Sequence, residues 1–292
     1  MPPSLQHLSF WTWVGPAILL PIVGLVLLYY VAVDGPLAGR LLGPATAHEA
    51  RRRWMAYAAF AALYLSFGGP LDVLADSVSF AAHMLQHTLG TMVAAPLFLA
   101  GSPVRLWQRL VRTPVVGRAF RLLVHPVPAI LLFNVLLGLS VYPRIYDLVE
   151  VNGAAHLLEH TALFVAALFM WWPVQSRVPE LPRLHPGLRM LYMFLDGLPM
   201  IFTMTFPTMD TALMYPYYAH APALFGMSHV AEQQLGGALM LTLMHVAYGT
   251  AFVVAFIELK NRPDQRAIDP ILTVVPPPGT LPPGATRPWA AK

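Results

Sequence analysis

The chain has 292 residues, of which 57% are hydrophobic and 11% charged, with a mean hydropathy of +0.59; a soluble domain carries roughly 25% charged residues, so this is the composition of an integral membrane protein. The net charge of +4 is spread over short connections instead of forming one basic, aromatic-studded patch, which excludes nucleic acid as a partner. There is no cysteine, so disulfides, thiolate metal sites and thiol redox chemistry are excluded, and any metal must be held by His, Met, Asp or Glu.

Seven apolar segments reach the length that roughly 30 Å of hydrocarbon demands: residues 13–33, 54–71, 83–100, 127–142, 154–173, 188–206 and 233–259. The first has no positively charged region before it and no small-residue cleavage site after it, so it reads as a retained span and not a signal peptide. The expected fold is therefore all-α: an integral membrane bundle of seven transmembrane helices in one domain, residues 1–260. A Pro/Gly-rich tail, 261–292, is expected to be disordered and cytoplasmic.

Charge orients the bundle. Arg40, Arg51, Arg52 and Arg53 lie between the first two spans, and Arg105, Arg109, Arg112, Arg118 and Arg121 follow the third. Arg177, Arg183 and Arg189 lie between the fifth and sixth, and Lys260, Arg262, Arg266, Arg287 and Lys292 follow the last. Of the 18 basic residues only Arg144 departs from this alternation. The positive-inside rule then predicts an N-terminus outside and a C-terminus in the cytoplasm.

That topology sorts the unusual polar residues by side. His83 and His87 open the third span from outside at i, i+4 spacing, and His156 and His160 open the fifth in the same way, which puts four imidazoles at one depth. The outer connection before the last span adds Met209, Asp210, Met214, His220, Met227 and His229, and Glu232 stands at that span's outer end. Taken singly, an interfacial His or Met is ordinary, because water satisfies the ring and Met fills gaps. Two H-x-x-x-H pairs at one face point to a metal or haem site. Imidazole serves zinc, copper, iron and nickel, while thioether selects Cu(I), so His with Met and no Cys leans toward copper. Glu159 is placed to orient a neighbouring imidazole or to be a solvated helix-end charge. Bis-histidine haem ligation by His87 and His160 stays open. Neither pair carries the adjacent glutamate of the H-E-x-x-H zinc proteases.

A second group lies deeper. At about 1.5 Å per residue, Asp196 and His245 both fall roughly 15 to 20 Å from the outer face, where they can form a buried polar pair, functional or merely structural. Asn134 in the fourth span reads as an interhelical hydrogen bond. Along the sixth span Met190, Met193, Met200, Met204, Met209 and Met214 read mainly as packing. Met204, Met209 and Met214 lie near enough the outside to touch Cu(I) in transit. These deep polar residues are too few to line a metal transporter's path.

The segments SFAAHMLQHTLGTMVAAPLFLAGSPVRL, HLLEHTALFVAALFMWWPV, MYPYYA and AEQQLGGALM, in that order, resemble the multi-span CtaG family of bacterial cytochrome c oxidase assembly factors. The resemblance implies a multi-pass protein of the bacterial plasma (inner) membrane that matures a haem-copper oxidase without being an enzyme. It also implies a role in delivering copper, with oxidase subunits and other copper chaperones as partners. The family's histidine positions fall on His83, His87, His156 and His160, and its acidic-Gln-Gln element on Glu232, Gln233 and Gln234. The chain departs from the family's aromatic-rich last span by placing Met244 and His245 there. A haem-binding membrane redox or haem-handling protein is the alternative.

Overall fold

The computed structural model describes residues 10–223 and 226–261. The proposed tail beyond residue 261 lies outside them. Among the described residues every regular element is helical. In chain order these are α1 (Phe10–Val14), α2 (Pro16–Tyr29), α3 (Ala38–Leu42), α4 (Ala47–Phe67), α5 (Pro70–Ser77), α6 (Phe80–Thr88) and α7 (Ala95–Gly101). There follow α8 (Val104–Arg112), α9 (Val116–Leu123), α10 (Pro126–Ser140), α11 (Pro143–Glu150), α12 (Gly153–Gln175), α13 (Pro186–Met209) and α14 (His229–Lys260). Five helical stretches among the described residues are long and apolar enough to cross a bilayer alone. Two bent pairs, Phe80–Gly101 with α8 at 91° and α9 with α10 at 81°, raise the number to seven if each counts as one span. The chain is thus a helical membrane protein, and Leu27, Leu131, Leu158 and Phe202 project from the bundle as lipid-facing side chains do.

Helix starts follow local chemistry more closely than hydropathy does. The second span begins at Ala47, seven residues before its apolar window, because Thr46 and Glu49 form a capping box that satisfies the first free N–H groups. It breaks at Gly68 and Gly69, where Gly69 has φ +95 and Pro70 starts α5. The segments read from sequence as basic loops are in fact largely helical: Arg51, Arg52 and Arg53 lie on α4, Arg105, Arg109 and Arg112 on α8, and Arg118 and Arg121 on α9. The turn from α7 into α8 is fastened by Arg177, which donates to the carbonyls of Leu99, Ala100 and Ser102 at 3.1, 2.8 and 3.0 Å.

Between α6 and α7 the chain opens into a wide π turn, Leu89–Ala94. Pro96 has no N–H to donate, and side chains bond the carbonyls around the turn: Thr91 Oγ1 donates to His87 O at 2.6 Å, Trp171 Nε1 to Thr91 O at 2.9 Å, and Gln175 Nε2 to Pro96 O at 3.1 Å. The last two of these bonds pin α12 to the turn between α6 and α7, one helical turn past His87. Packing is close on the other sides as well. A Cβ on Gly101 would lie 2.1 Å from Ala56 N, and one on Gly236 would lie 2.6 Å from the Phe80 ring. Small residues therefore set how near α7 comes to α4 and α14 to α6.

Candidate metal centre

Two short polar caps place the imidazoles. Ser79 Oγ accepts from Ala82 N to start α6, and Asn152 Oδ1 accepts from Ala154 N and Ala155 N to start α12, so each histidine pair begins one turn into its helix. Ser79 in turn donates to Glu232 Oε1 at 2.5 Å, and Ala81 N donates to the same oxygen at 2.8 Å, so α14 holds the start of α6 in place. Asp76 comes from the end of α5, and Glu150 is the last residue of α11, two positions before the Asn152 cap.

The four predicted histidines meet. His83 Nε2 lies 2.8 Å from His87 Nε2, and His156 Nε2 lies 2.5 Å from His160 Nε2. Across the two helices the His83 ring stacks on His156 at 5.3 Å between centroids, and His87 and His160 are 4.8 Å apart. Carboxylates surround them: Glu150 Oε1 is 3.2 Å from His83 Nδ1 and 3.7 Å from His156 Nε2. Glu159 reaches His87 at 3.6 Å and His160 at 3.3 Å, and Asp76 Oδ1 is 3.7 Å from His156 Nδ1. One ligand atom from each of His83, His156, His160 and Glu159 lies within 4.8 Å of the others, and the same holds for Asp76, Glu150 and His156.

Buried polar groups in folded proteins nearly always find a hydrogen-bond partner. Here His83 Nδ1, His87 Nδ1, His160 Nδ1, Asp76 Oδ1, Glu150 Oε2 and both oxygens of Glu159 are buried without one. This is the donor set a cation satisfies. Bonds of about 2.0 to 2.1 Å in tetrahedral geometry separate two nitrogens by roughly 3.3 Å, so each pair needs to open by less than an ångström to share an ion. Burial, helped by the nearby Asp76 and Glu159 carboxylates, pushes the Glu150 carboxyl up to about 9. A cation arriving there takes the place of a proton.

The other expected residues divide. Glu159 belongs to the cluster. Glu232 does not: its carboxylate is spent on Ser79 and Ala81 and acts as a brace, because it faces the free N-terminus of α6. Gln233 and Gln234 likewise tie down the connection between α13 and α14, through Met214 N, Ala212 O and Asp210 O. Met209 is 70% exposed at the end of α13, Met214 packs on the aromatic core, and neither His220 nor His229 enters a ligand group. Asp196 and His245 are not joined by a hydrogen bond or ion pair. Asn134 Nδ2 donates to Asp196 Oδ1 at 2.7 Å, while His245 Nδ1 is satisfied by Leu241 O at 2.7 Å. The cause is rotational: Met244 and Tyr248 turn into the core of α14, and His245, about 100° round from Met244, falls on the rim.

Asp76 and Glu150 are the residues that sequence reasoning missed. A usable signal was present, since an acidic residue stands within seven positions before each histidine pair, at Asp76 before His83 and Glu150 before His156.

No curated protein and no solved structure matches the chain. A family model described as cytochrome c oxidase caa3 assembly factor matches residues 22–261, which takes in every element that builds the imidazole–carboxylate cluster, from α4 to α14. With the match covering most of its length, the chain belongs to the cytochrome c oxidase caa3 assembly factor family.

Proposed function

We propose that this protein holds copper at the cluster of His83, His87, His156 and His160 and passes it to a subunit of a haem-copper oxidase during assembly, without catalytic turnover. The observation that carries the reading is the convergence of four imidazoles and three carboxylates, all of which except His156 have a buried atom without a hydrogen-bond partner. Nitrogen and oxygen donors suit copper among the first-row ions, and the thioethers of Met209 and Met214 are not part of this set. Asp76 opens one edge, since its side chain is 44% exposed while those of His83 and Glu150 are 1% and 2% exposed. An ion held by an accessible carboxylate can be exchanged, which favours delivery over storage.

The topology belongs to the same proposal. Seven spans, with the N-terminus outside and the C-terminus cytoplasmic, place the cluster at the outer face of the bacterial plasma membrane. There it would meet oxidase subunits and other copper chaperones. A haem fits the spacing less well than an ion. Two axial bonds of about 2 Å put the ring centroids roughly 6 Å apart, and the 4.8 Å between His87 and His160 favours the smaller guest.

Metal content and a visible spectrum on one detergent-purified sample, compared with a His83→Ala/His87→Ala variant, test the proposal. Copper that disappears in the variant, with no Soret band in either sample, is the expected result. A protein that takes up neither Cu(I) nor Cu(II) rejects it.

A further inference from the structure

The imidazole cluster supplies more donors than one ion can use. Four histidines and three carboxylates converge there, whereas a bound copper or zinc ion takes about four ligands. The donors form two groups with only His156 in common. His83, His156, His160 and Glu159 make up one, and Asp76, Glu150 and His156 the other, each with its ligand atoms within 4.8 Å of one another.

Hydrogen bonding divides the rings between the groups, because a neutral imidazole that gives one nitrogen to an ion carries an N–H on the other. His83 Nδ1 lies 3.2 Å from Glu150 Oε1 and His160 Nδ1 lies 3.3 Å from Glu159 Oε2, so each carboxylate can take the N–H and leave Nε2 to an ion. His87 Nε2, 2.8 Å from His83 Nε2 and 3.6 Å from Glu159 Oε1, adds a third nitrogen to the same half. His156 reaches the other half. Its Nδ1 is 3.7 Å from Asp76 Oδ1, close to the roughly 3.3 to 3.6 Å that separates two ligands of one tetrahedral ion. Glu150 completes this half. Its side chain is 2% exposed, and its Oε2 is buried without a hydrogen-bond partner while Oε1 faces His83 and His156. A carboxylate oxygen left bare at that depth costs free energy that a cation offsets. Charge points the same way: one copper ion cancels one or two of the three carboxylate charges, according to its oxidation state, and a second ion takes up the rest.

We propose that the cluster is dinuclear: beside the ion held by His83, His87, His160 and Glu159, a second, divalent cation of the zinc class binds Asp76, Glu150 and His156. Two carboxylates and one imidazole are harder donors than the first half offers, yet too few oxygens for calcium or magnesium. Three protein ligands leave one tetrahedral position open, on the side where Asp76 is 44% exposed. The divalent ion is therefore the exchangeable one of the pair, and while bound it closes the edge that Asp76 opens. The identity of the first ion rests on the copper reading of the cluster, while the oxygen-rich site itself does not.

The test uses full-length protein in detergent, loaded anaerobically with Cu(I) and then titrated with Zn(II), with both metals counted per chain. One equivalent of zinc is expected to bind without displacing copper, with no more than one imidazole around it in X-ray absorption. Asp76→Asn, its fold checked by thermal unfolding, is expected to lower zinc affinity at least about tenfold. A folded His83→Ala/His87→Ala variant is expected to lose copper and keep zinc. The second site is overturned, and the copper reading left standing, by any of three results: copper-loaded protein that takes up no zinc, zinc that displaces copper one for one, or zinc affinity unchanged in Asp76→Asn. Zinc lost together with copper in the histidine variant overturns it as well. If Asp76→Asn does not fold, the displacement measurement decides alone. Wild-type protein that binds no copper but holds zinc in an Asp76-dependent way overturns the copper reading instead.

Discussion

His83 and Glu150 face each other across 3.2 Å with almost no exposure, and neither His83 Nδ1 nor Glu150 Oε2 has a hydrogen-bond partner. Glu150→Gln keeps the shape and removes the charge, so copper affinity is expected to fall about tenfold while the melting temperature holds, read by metal titration and thermal unfolding on one preparation. Glu232 behaves in the opposite sense. Truncating it strands Ser79 Oγ and Ala81 N at the start of α6, so Glu232→Ala is expected to cost about 1 to 3 kcal/mol of stability without removing any metal ligand. A melting temperature equal to wild type would show that the brace is dispensable. At this scale the spacing of the histidines was legible, because i, i+4 positions on a helix must share a face. Asp76 and Glu150 were not, because each sits on its own short helix and reaches the cluster only through how α5 and α11 turn back.

Elements meet at small residues, and the glycines divide by what lies beside them. A Cβ on Gly101 would fall 2.1 Å from Ala56 N, so Gly101→Ala must push α7 off α4 and is expected to cost about 1 to 3 kcal/mol. Gly153, at the start of α12, has nothing within 4 Å of a Cβ, and Gly153→Ala is expected to be neutral or slightly stabilising. Thermal melts of the two variants side by side check the contrast; equal shifts would contradict the close approach of α7 and α4. The helices themselves were legible as apolar windows, but their starts were not. Thr46 and Glu49 carry α4 well outside its apolar window, and a π turn interrupts the helix between α6 and α7 just after His87.

For the whole molecule, alternation of the basic residues is the strongest statement about orientation, and reporter fusions at the α2–α4 and α10–α11 connections should report opposite faces, the former cytoplasmic. Fusions reporting one common face would overturn the seven-span topology. The same basic residues also hold the bundle together: Arg189 and Arg183 both pair with Glu258, and Arg112 pairs with Glu180 at 2.6 Å. The charge bias is therefore partly structural.

Sequence alone determined the environment and the pairing within each helix. Hydrocarbon thickness sets the length of an apolar run, and helical pitch sets which histidines are neighbours. Tertiary structure decided which helices meet. It brought α6 onto α12 so that two pairs became one cluster, turned Asp196 toward Asn134 and His245 away from it, and lined the centre with methionine. Contacts between distant segments depend on rotation about each helix axis, and a period of 3.6 residues fixes that rotation only relative to neighbours the sequence does not name.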